Sequence, residues 1–244
     1  LNWLGLHTIW GLDIQVPLYI SVFLKSLSIA VVATIISLLF GYPVAWLLAK
    51  LKIAKKRSAD FLLFLTVMPM WMNALLRTYA WLALLEPTGI INTFLKTLGI
   101  GPIQFLYNDF GIGLGMVYNY LPFMILPIYS VLVKIDPALL EAAGDLGADN
   151  TYTLRKVIIP LSLPGVYSGI NMVLMPAMTT FLIPDLLGGG RYLLIGNAIQ
   201  RQYMISRDYT TGSALTILLL IFVLISMSVV NRNSTEMSEA GGLI

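Results

Sequence analysis

The chain has 244 residues, 58% of them hydrophobic and 11% charged, with a mean hydropathy of +0.84. Soluble domains carry about 25% charged residues, so this chain lacks the polar surface to face water on every side and is an integral membrane protein. It has no cysteine, which excludes a disulfide framework, thiol catalysis and a Cys-ligated metal, and its net charge of +3 informs less than the positions of its Lys and Arg residues.

Residues 1–21 mix Trp, Tyr, Gly and Pro, which suits an interfacial segment better than a span. A metal site would need several His or carboxylate partners, so His7, the single histidine, reads as an interfacial side chain. The sequence begins on Leu without a charged n-region and cleavage site, and its true start is expected to lie upstream. Span one is residues 22–48, 27 residues against the roughly 20 a bilayer core demands, with Gly41 and Pro43 near its end. Lys50, Lys52, Lys55, Lys56 and Arg57 follow, five positive charges in eight residues, which makes the loop cytoplasmic and leaves a nucleic-acid role nothing to explain.

Span two is residues 61–85 and contains Pro69, Asn73 and Arg77. A charge at mid-helix costs about 2.5–3.5 kcal/mol on insertion, so Arg77 either snorkels to the outer interface or faces protein or water along a pathway. Residues 86–110 are too broken by Gly and Pro to span, and 90–98 reads as a short amphipathic helix on the outer face. Span three is residues 112–133. Gly111, Gly113 and Gly115 lack the G-x-G-x-x-G spacing and read as small residues for helix packing. Tyr118, Asn119, Tyr120 and Pro122 make this helix locally polar, as a pathway lining or as hydrogen-bonding partners for neighbouring helices. Span four is residues 163–183, with Pro176 near its middle. An outer loop over 184–213 carries a helix at 193–202, and span five is 214–230 with a polar tail from Asn231.

Alternating the loops gives nine inside cations (Lys50, Lys52, Lys55, Lys56, Arg57, Lys134, Arg155, Lys156, Arg232) against four outside (Lys96, Arg191, Arg201, Arg207). By the positive-inside rule the polar stretch Asp136–Pro164 is cytoplasmic. Asp136 before Pro137 is a helix start, with an acceptor at the N-cap and a residue whose missing N–H costs nothing in the first turn. A helix over 137–146 then ends at Gly147, which fits the left-handed C′ position. Asp149 or Asn150 caps a second helix, expected to end at Pro160. Leu139, Leu140, Ala143 and Leu146 fall largely on one side of the first helix, Glu141 and Asp145 on another.

The spacing Glu141-Ala142-Ala143, three residues, Gly147, nine residues, Val157, one residue, Ile159-Pro160 resembles the EAA loop of the membrane subunits of binding-protein-dependent ABC importers, E-A-A-x3-G-x9-I-x-L-P. Val157 and Ile159 stand where that pattern has Ile and Leu. Gly41-Tyr42-Pro43 with Ala45-Trp46, Leu121 to Met124, Met175-Pro176-Ala177-Met178, Asp185-Leu186 and Leu193 to Asn197 extend the resemblance over nearly the whole chain, to the spermidine/putrescine permease branch of that family. The resemblance implies an all-α membrane domain over residues 1–244 with a cytoplasmic helix-turn-helix coupling loop at 136–160. Such permeases usually have six spans; five are read here, and the first is expected to be absent from this chain.

The resemblance further implies a bacterial inner-membrane permease with no cofactor of its own. ATP and Mg would sit on a cytoplasmic ATPase dimer, since no G-x4-G-K-[ST] occurs in the sequence. A second related permease, an external substrate-binding protein and membrane lipid complete the expected partners; nucleic acid is not among them. Leu140, Glu141, Ala142, Ala143, Asp145, Gly147 and Pro160 would form the ATPase-coupling element. For a polycation, carboxylates and aromatic faces are the natural lining, which singles out Asp185 first, then Tyr118, Tyr120, Trp71 and Glu86; Asp185 equally fits a local cap after Pro184. Two other classes stay in view. A secondary transporter would drive flux alone from an ion gradient, and a membrane enzyme would need a nucleophile, metal or carboxylate cluster. Co-purification with a P-loop ATPase separates the importer from the secondary transporter.

Overall fold

The structure, a computed structural model, describes residues 6–9, 12–190 and 192–241, with side chains over 18–190 and 192–228. Arg191 and the side chains of His7 and Arg232 lie outside the described residues. The architecture is helical, as expected, with one addition: Leu6–Ile9 (β1) and Leu12–Pro17 (β2) pair as an antiparallel hairpin in the segment read as interfacial.

Four helices among the described residues are long and apolar enough to cross a bilayer. They are α1 (Leu18–Ile53), α5 (Asp109–Leu132), the run Asn150–Thr179, and Tyr209–Ser228 within α11 (Tyr209–Gly241). A fifth crossing requires the sharply bent pair Ser58–Trp71 and Ala74–Thr97. The second span is therefore not one helix over 61–85. It comprises α2 (Ser58–Val67), a 3₁₀ turn at Met68–Trp71 and α3 (Ala74–Leu85). Pro69 sits in the tight turn, and Asn73 leaves helical geometry (φ −58°, ψ 131°) so that its side chain accepts a hydrogen bond from the Leu75 N–H at 2.8 Å. An N-cap inside an apolar run starts a new helix.

Two further boundaries move. Pro160 does not end the second helix of the polar stretch: α7 (Asn150–Thr153) passes through a π turn at Leu154–Ile158 into α8 (Ile159–Thr179). The Ile159 N–H reaches back five residues to the Leu154 carbonyl. A proline has no N–H and its ring crowds the carbonyl four residues earlier; widening the preceding turn relieves both and lets the helix continue. At the other end, α8 stops at Thr179, and α9 (Leu182–Leu187) resumes after a break. The polar tail from Asn231 continues the backbone of α11 as far as Gly241. The outer helices fall where the sequence puts them: α4 at Ile90–Thr97 and α10 at Ile195–Arg201.

The chain gathers into two compact units. One comprises Leu1–Ile35, Met72–Asn119 and Leu174–Val223; the other comprises Ile36–Trp71, Tyr120–Val173 and Leu224–Ile244. In the second unit, Ala45, Leu48 and Ala49 of α1, Met124, Ile125, Ile128 and Leu132 of α5, and Val166 and Val173 of α8 form a buried core. Close approach is made possible by absent side chains. A Cβ on Gly165 would lie 2.9 Å from the Pro127 carbonyl oxygen, and one on Gly169 would lie 2.7 Å from the Met124 sulfur. Helices in lipid associate through such small residues because no hydrophobic force distinguishes neighbour from solvent. The hydroxyls of Tyr42 and the fully buried Ser162 hydrogen-bond at 2.8 Å across this core.

In the first unit, a Cβ on Gly115 of α5 would collide with Leu187 and Ile183, so α9 seats there. The buried Asn92 pins the loop after α3. Its amide nitrogen donates to the Glu86 and Ile103 carbonyls at 3.0 Å each, and its oxygen accepts from the Ile103 N–H at 2.8 Å.

Candidate functional site

The polar element at 136–160, expected to be cytoplasmic, is built from local rules. Asp136 accepts a hydrogen bond from the Ala138 N–H at 3.0 Å and Pro137 opens α6 (Pro137–Asp145). At its end the Gly147 N–H donates to the Gly144 carbonyl and the Ala148 N–H to the Ala143 carbonyl, with Gly147 at φ +78°. This is the Schellman arrangement, in which a left-handed residue satisfies carbonyls the helix leaves orphaned. Asp149 then caps α7 by accepting from the Tyr152 N–H at 2.7 Å. The turn between the two helices is thus fixed from both sides.

Its surface divides in two. Leu146 is 89% exposed, and Tyr152 and Leu139 are also exposed, an apolar face with no cover in this chain. Glu141, Ala142, Asp145, Gly147 and Pro160 are likewise exposed, and Ala143 is half-buried. Leu140 points the other way, into a cavity bounded by α1 and α5. The grouping of Leu139, Leu140, Ala143 and Leu146 largely on one side therefore does not hold in full, because the adjacent Leu139 and Leu140 lie about 100° apart around the helix.

A second polar centre lies in the first unit, at the break between α8 and α9. Asn197, fully buried, donates from its amide nitrogen to Asp185 Oδ1 at 2.7 Å and to the Phe181 carbonyl at 2.9 Å. The buried Ser26 hydroxyl accepts from the Ile195 N–H at 2.7 Å while donating to the Val22 carbonyl, which ties the start of α10 to α1. A Cβ on Gly196 would sit 2.5 Å from the Thr179 carbonyl oxygen. The Leu194 to Asn197 run is thus a clasp on the helix break, and Asp185 is half-buried with one carboxylate oxygen held.

The sequence model of the family described as "Binding-protein-dependent transport system inner membrane component" matches residues 41–238. The chain belongs to this family.

This inner membrane component is 46% identical over 215 residues to the spermidine/putrescine transport system permease protein PotB of Haemophilus influenzae, covering 85% of this chain and 74% of that one. To PotB of Escherichia coli it is 43% identical over 225 residues, covering 91% and 81%. Among solved structures, a bacterial ABC transporter that imports the acidic polysaccharide alginate matches with a TM-score of 0.69 at 20% identity, over 87% of this chain and 79% of that one. The inward-facing MetNI methionine ABC transporter matches with a TM-score of 0.66 at 17% identity, over 90% and 96%. The two structural likenesses are likenesses of fold.

Within this inner membrane component the other predicted pathway residues are scattered. Tyr118 packs edge-on against Trp81 with ring centres 5.1 Å apart, and Tyr120 packs on the core of the second unit. Trp71 is 78% exposed and meets Phe64 edge-on. Glu86 is exposed and ends α3. Sequence reasoning named Asn119 within a polar patch and Asn197 only within the permease resemblance, and passed over Ser26. The available signal was a buried-type amide or hydroxyl inside an apolar run, where an unpaired polar group is costly and so marks a partner.

Proposed function

We propose that this chain is the permease subunit of an ATP-driven importer of polyamines, delivered by an external binding protein. The observation that carries the reading is the 43–46% identity to PotB proteins across 85–91% of the chain. A second permease would complete the translocation pathway, and hydrolysis would take place on a cytoplasmic ATPase dimer that holds ATP and Mg.

On this reading the exposed face of Leu139, Leu146 and Tyr152 docks on the ATPase, with Glu141 and Asp145 on its flank. Gly147 fixes the angle of the turn and the helix Asn150–Thr179 carries displacement into the membrane. Substrate recognition falls to the α8–α9 break. The C-terminal end of α8 presents a partial negative charge, and Asp185 adds a full one with an oxygen that Asn197 does not occupy. Both suit an ammonium group.

The test is uptake of labelled spermidine and putrescine, in competition, by the complex reconstituted in vesicles. Asp185→Asn removes a charge-assisted contact worth about 1.5–3 kcal/mol, so uptake efficiency at low substrate should fall roughly ten- to a hundredfold with assembly intact. Wild-type uptake by that variant across substrate concentrations defeats the assignment of Asp185. Absence of polyamine uptake by the unaltered complex defeats the substrate class.

A further inference from the structure

We propose that the cavity behind α6 is a binding site for an anionic phospholipid of the cytoplasmic leaflet, one acyl chain filling the cavity and its phosphate resting on Lys50. The site is independent of which solute is carried.

The cavity measures about 450 Å³ and lies wholly within the second unit. Its walls are Trp46, Ala49 and Lys50 of α1, Leu132 of α5, and Leu140 and Gly144 of α6. That size falls in the usual range for ligand sites, about 300–1,000 Å³. The contrast within one unit is informative. Gly165 and Gly169 are in contact with α5, yet a Cβ on Gly144 would find nothing within 4 Å. The coupling helix therefore stands off from the membrane helices rather than packing on them. A mostly apolar gap of this size forfeits dispersion contacts on every side unless something apolar enters.

Charge selects the occupant. The Lys50 ammonium lies 5.4 Å from the centre of the Trp46 ring, and among the described residues it makes no ion pair. Its neighbour Lys52 is already paired with Asp60. Lys50 is the one charged side chain among the cavity's lining residues, and Lys55, Lys56 and Arg57 follow it in the connection to α2. The last turns of α1 line the cavity, at the end that the positive-inside count assigns to the cytoplasm, where basic clusters attract anionic lipid. A soluble phosphate satisfies the cation and leaves the apolar wall bare, and a polyamine is repelled. A phospholipid tail with an anionic head satisfies both.

The test uses the complete transporter, purified with its partner subunits, in nanodiscs containing phosphatidylglycerol or phosphatidylcholine whose acyl chain carries a photoreactive group. Labelled residues are mapped by mass spectrometry. The expected result is labelling of Ala49, Leu132 or Leu140 by the phosphatidylglycerol probe, with loss of that labelling in Lys50→Gln and in Gly144→Leu, which fills the cavity. Labelling of the exposed Leu39 and Phe40 of α1 should be the same in all variants, which shows that each is folded and embedded. Equal labelling of the cavity by the two lipids, labelling unchanged in both variants, or labelling confined to Leu39 and Phe40 overturns the proposal.

Discussion

Single residues at chain reversals carry more of this protein than their size suggests. Gly147 sits at φ +78° with nothing within 4 Å of where a Cβ would be. Its replacement is opposed by backbone strain rather than by crowding, about 1–2 kcal/mol for a side chain in the left-handed region. Gly147→Val is expected to leave insertion and the apolar core unaltered while lowering ATPase co-purification several-fold, measured by pull-down at fixed detergent. Asn197 makes the opposite case, because its neighbours lose partners when it is removed. Asn197→Leu takes one of two donors from the Phe181 carbonyl, which keeps the Asp185 N–H at 3.1 Å, and loosens Asp185, with a cost of about 0.5–1.5 kcal/mol for each bond lost. Polyamine uptake should fall as far as in Asp185→Asn, and thermal stability should fall as well, which distinguishes the two variants. Asp208 caps α11: its carboxylate accepts from the Thr211 hydroxyl and backbone N–H, and these bonds hold its pKa below the usual carboxylate value. A lowered carboxyl contributes stability above its unfolded pKa and loses it as pH falls through the folded one. Hydrogen exchange at the first turn of α11 should therefore quicken only below the ordinary carboxylate range, and Asp208→Ala should abolish that dependence. Asp136, Gly147 and Asp149 were legible in the sequence because caps are local chemistry. Asn197 was not, because its partners are twelve and sixteen residues away, across a break that hydropathy does not register.

Among the elements, the junction of α7 and α8 departs furthest from what the sequence suggests. Proline was expected to end a helix at Pro160, and instead a π turn absorbs it. One extra residue in a turn rotates everything before it by about 100° relative to everything after. Pro160→Ala restores an N–H donor and relieves the crowding at Lys156, so the π turn should relax to α-helix and α6 should swing about the axis of α8. The expected outcome is a complex that assembles and hydrolyses ATP but imports several-fold less polyamine per ATP consumed, read from paired uptake and phosphate-release assays. Equal transport per ATP in the variant would mean that the π turn has no part in coupling. The α2–α3 break teaches the complementary lesson. Averaged hydropathy over 61–85 reads as one span, yet Pro69 and Asn73 are turn and cap residues whose local demands prevail over the average. Element existence follows from periodicity, whereas continuity is decided by one or two residues that an average dilutes.

For the molecule as a whole, composition alone establishes the membrane class, and the distribution of Lys and Arg gives the expected sides. The packing surfaces were legible only as small-residue runs, since sequence does not say which neighbour a glycine meets. Gly165 meets the Pro127 backbone, and backbone does not yield as a side-chain end does. Gly165→Leu should therefore cost at least the 1–3 kcal/mol typical of overpacking, seen as a lowered Tm and a loss of monodisperse complex. Gly113→Leu, where a Cβ meets nothing within 4 Å, should cost little by the same measure.

The Schellman turn at Gly147 has a further consequence for how such a subunit changes over time. Because α6 is capped at both ends by its own residues and joined to α7 by one glycine-centred turn, its folding asks little of the core. Its outward side chains, Leu139 and Leu146 among them, can be exchanged one at a time without disturbing a single helix–helix contact of the second unit. If α6 docks on the ATPase as proposed, partner choice is thereby separated from membrane stability, and a duplicated permease is free to acquire a different ATPase through surface substitutions alone.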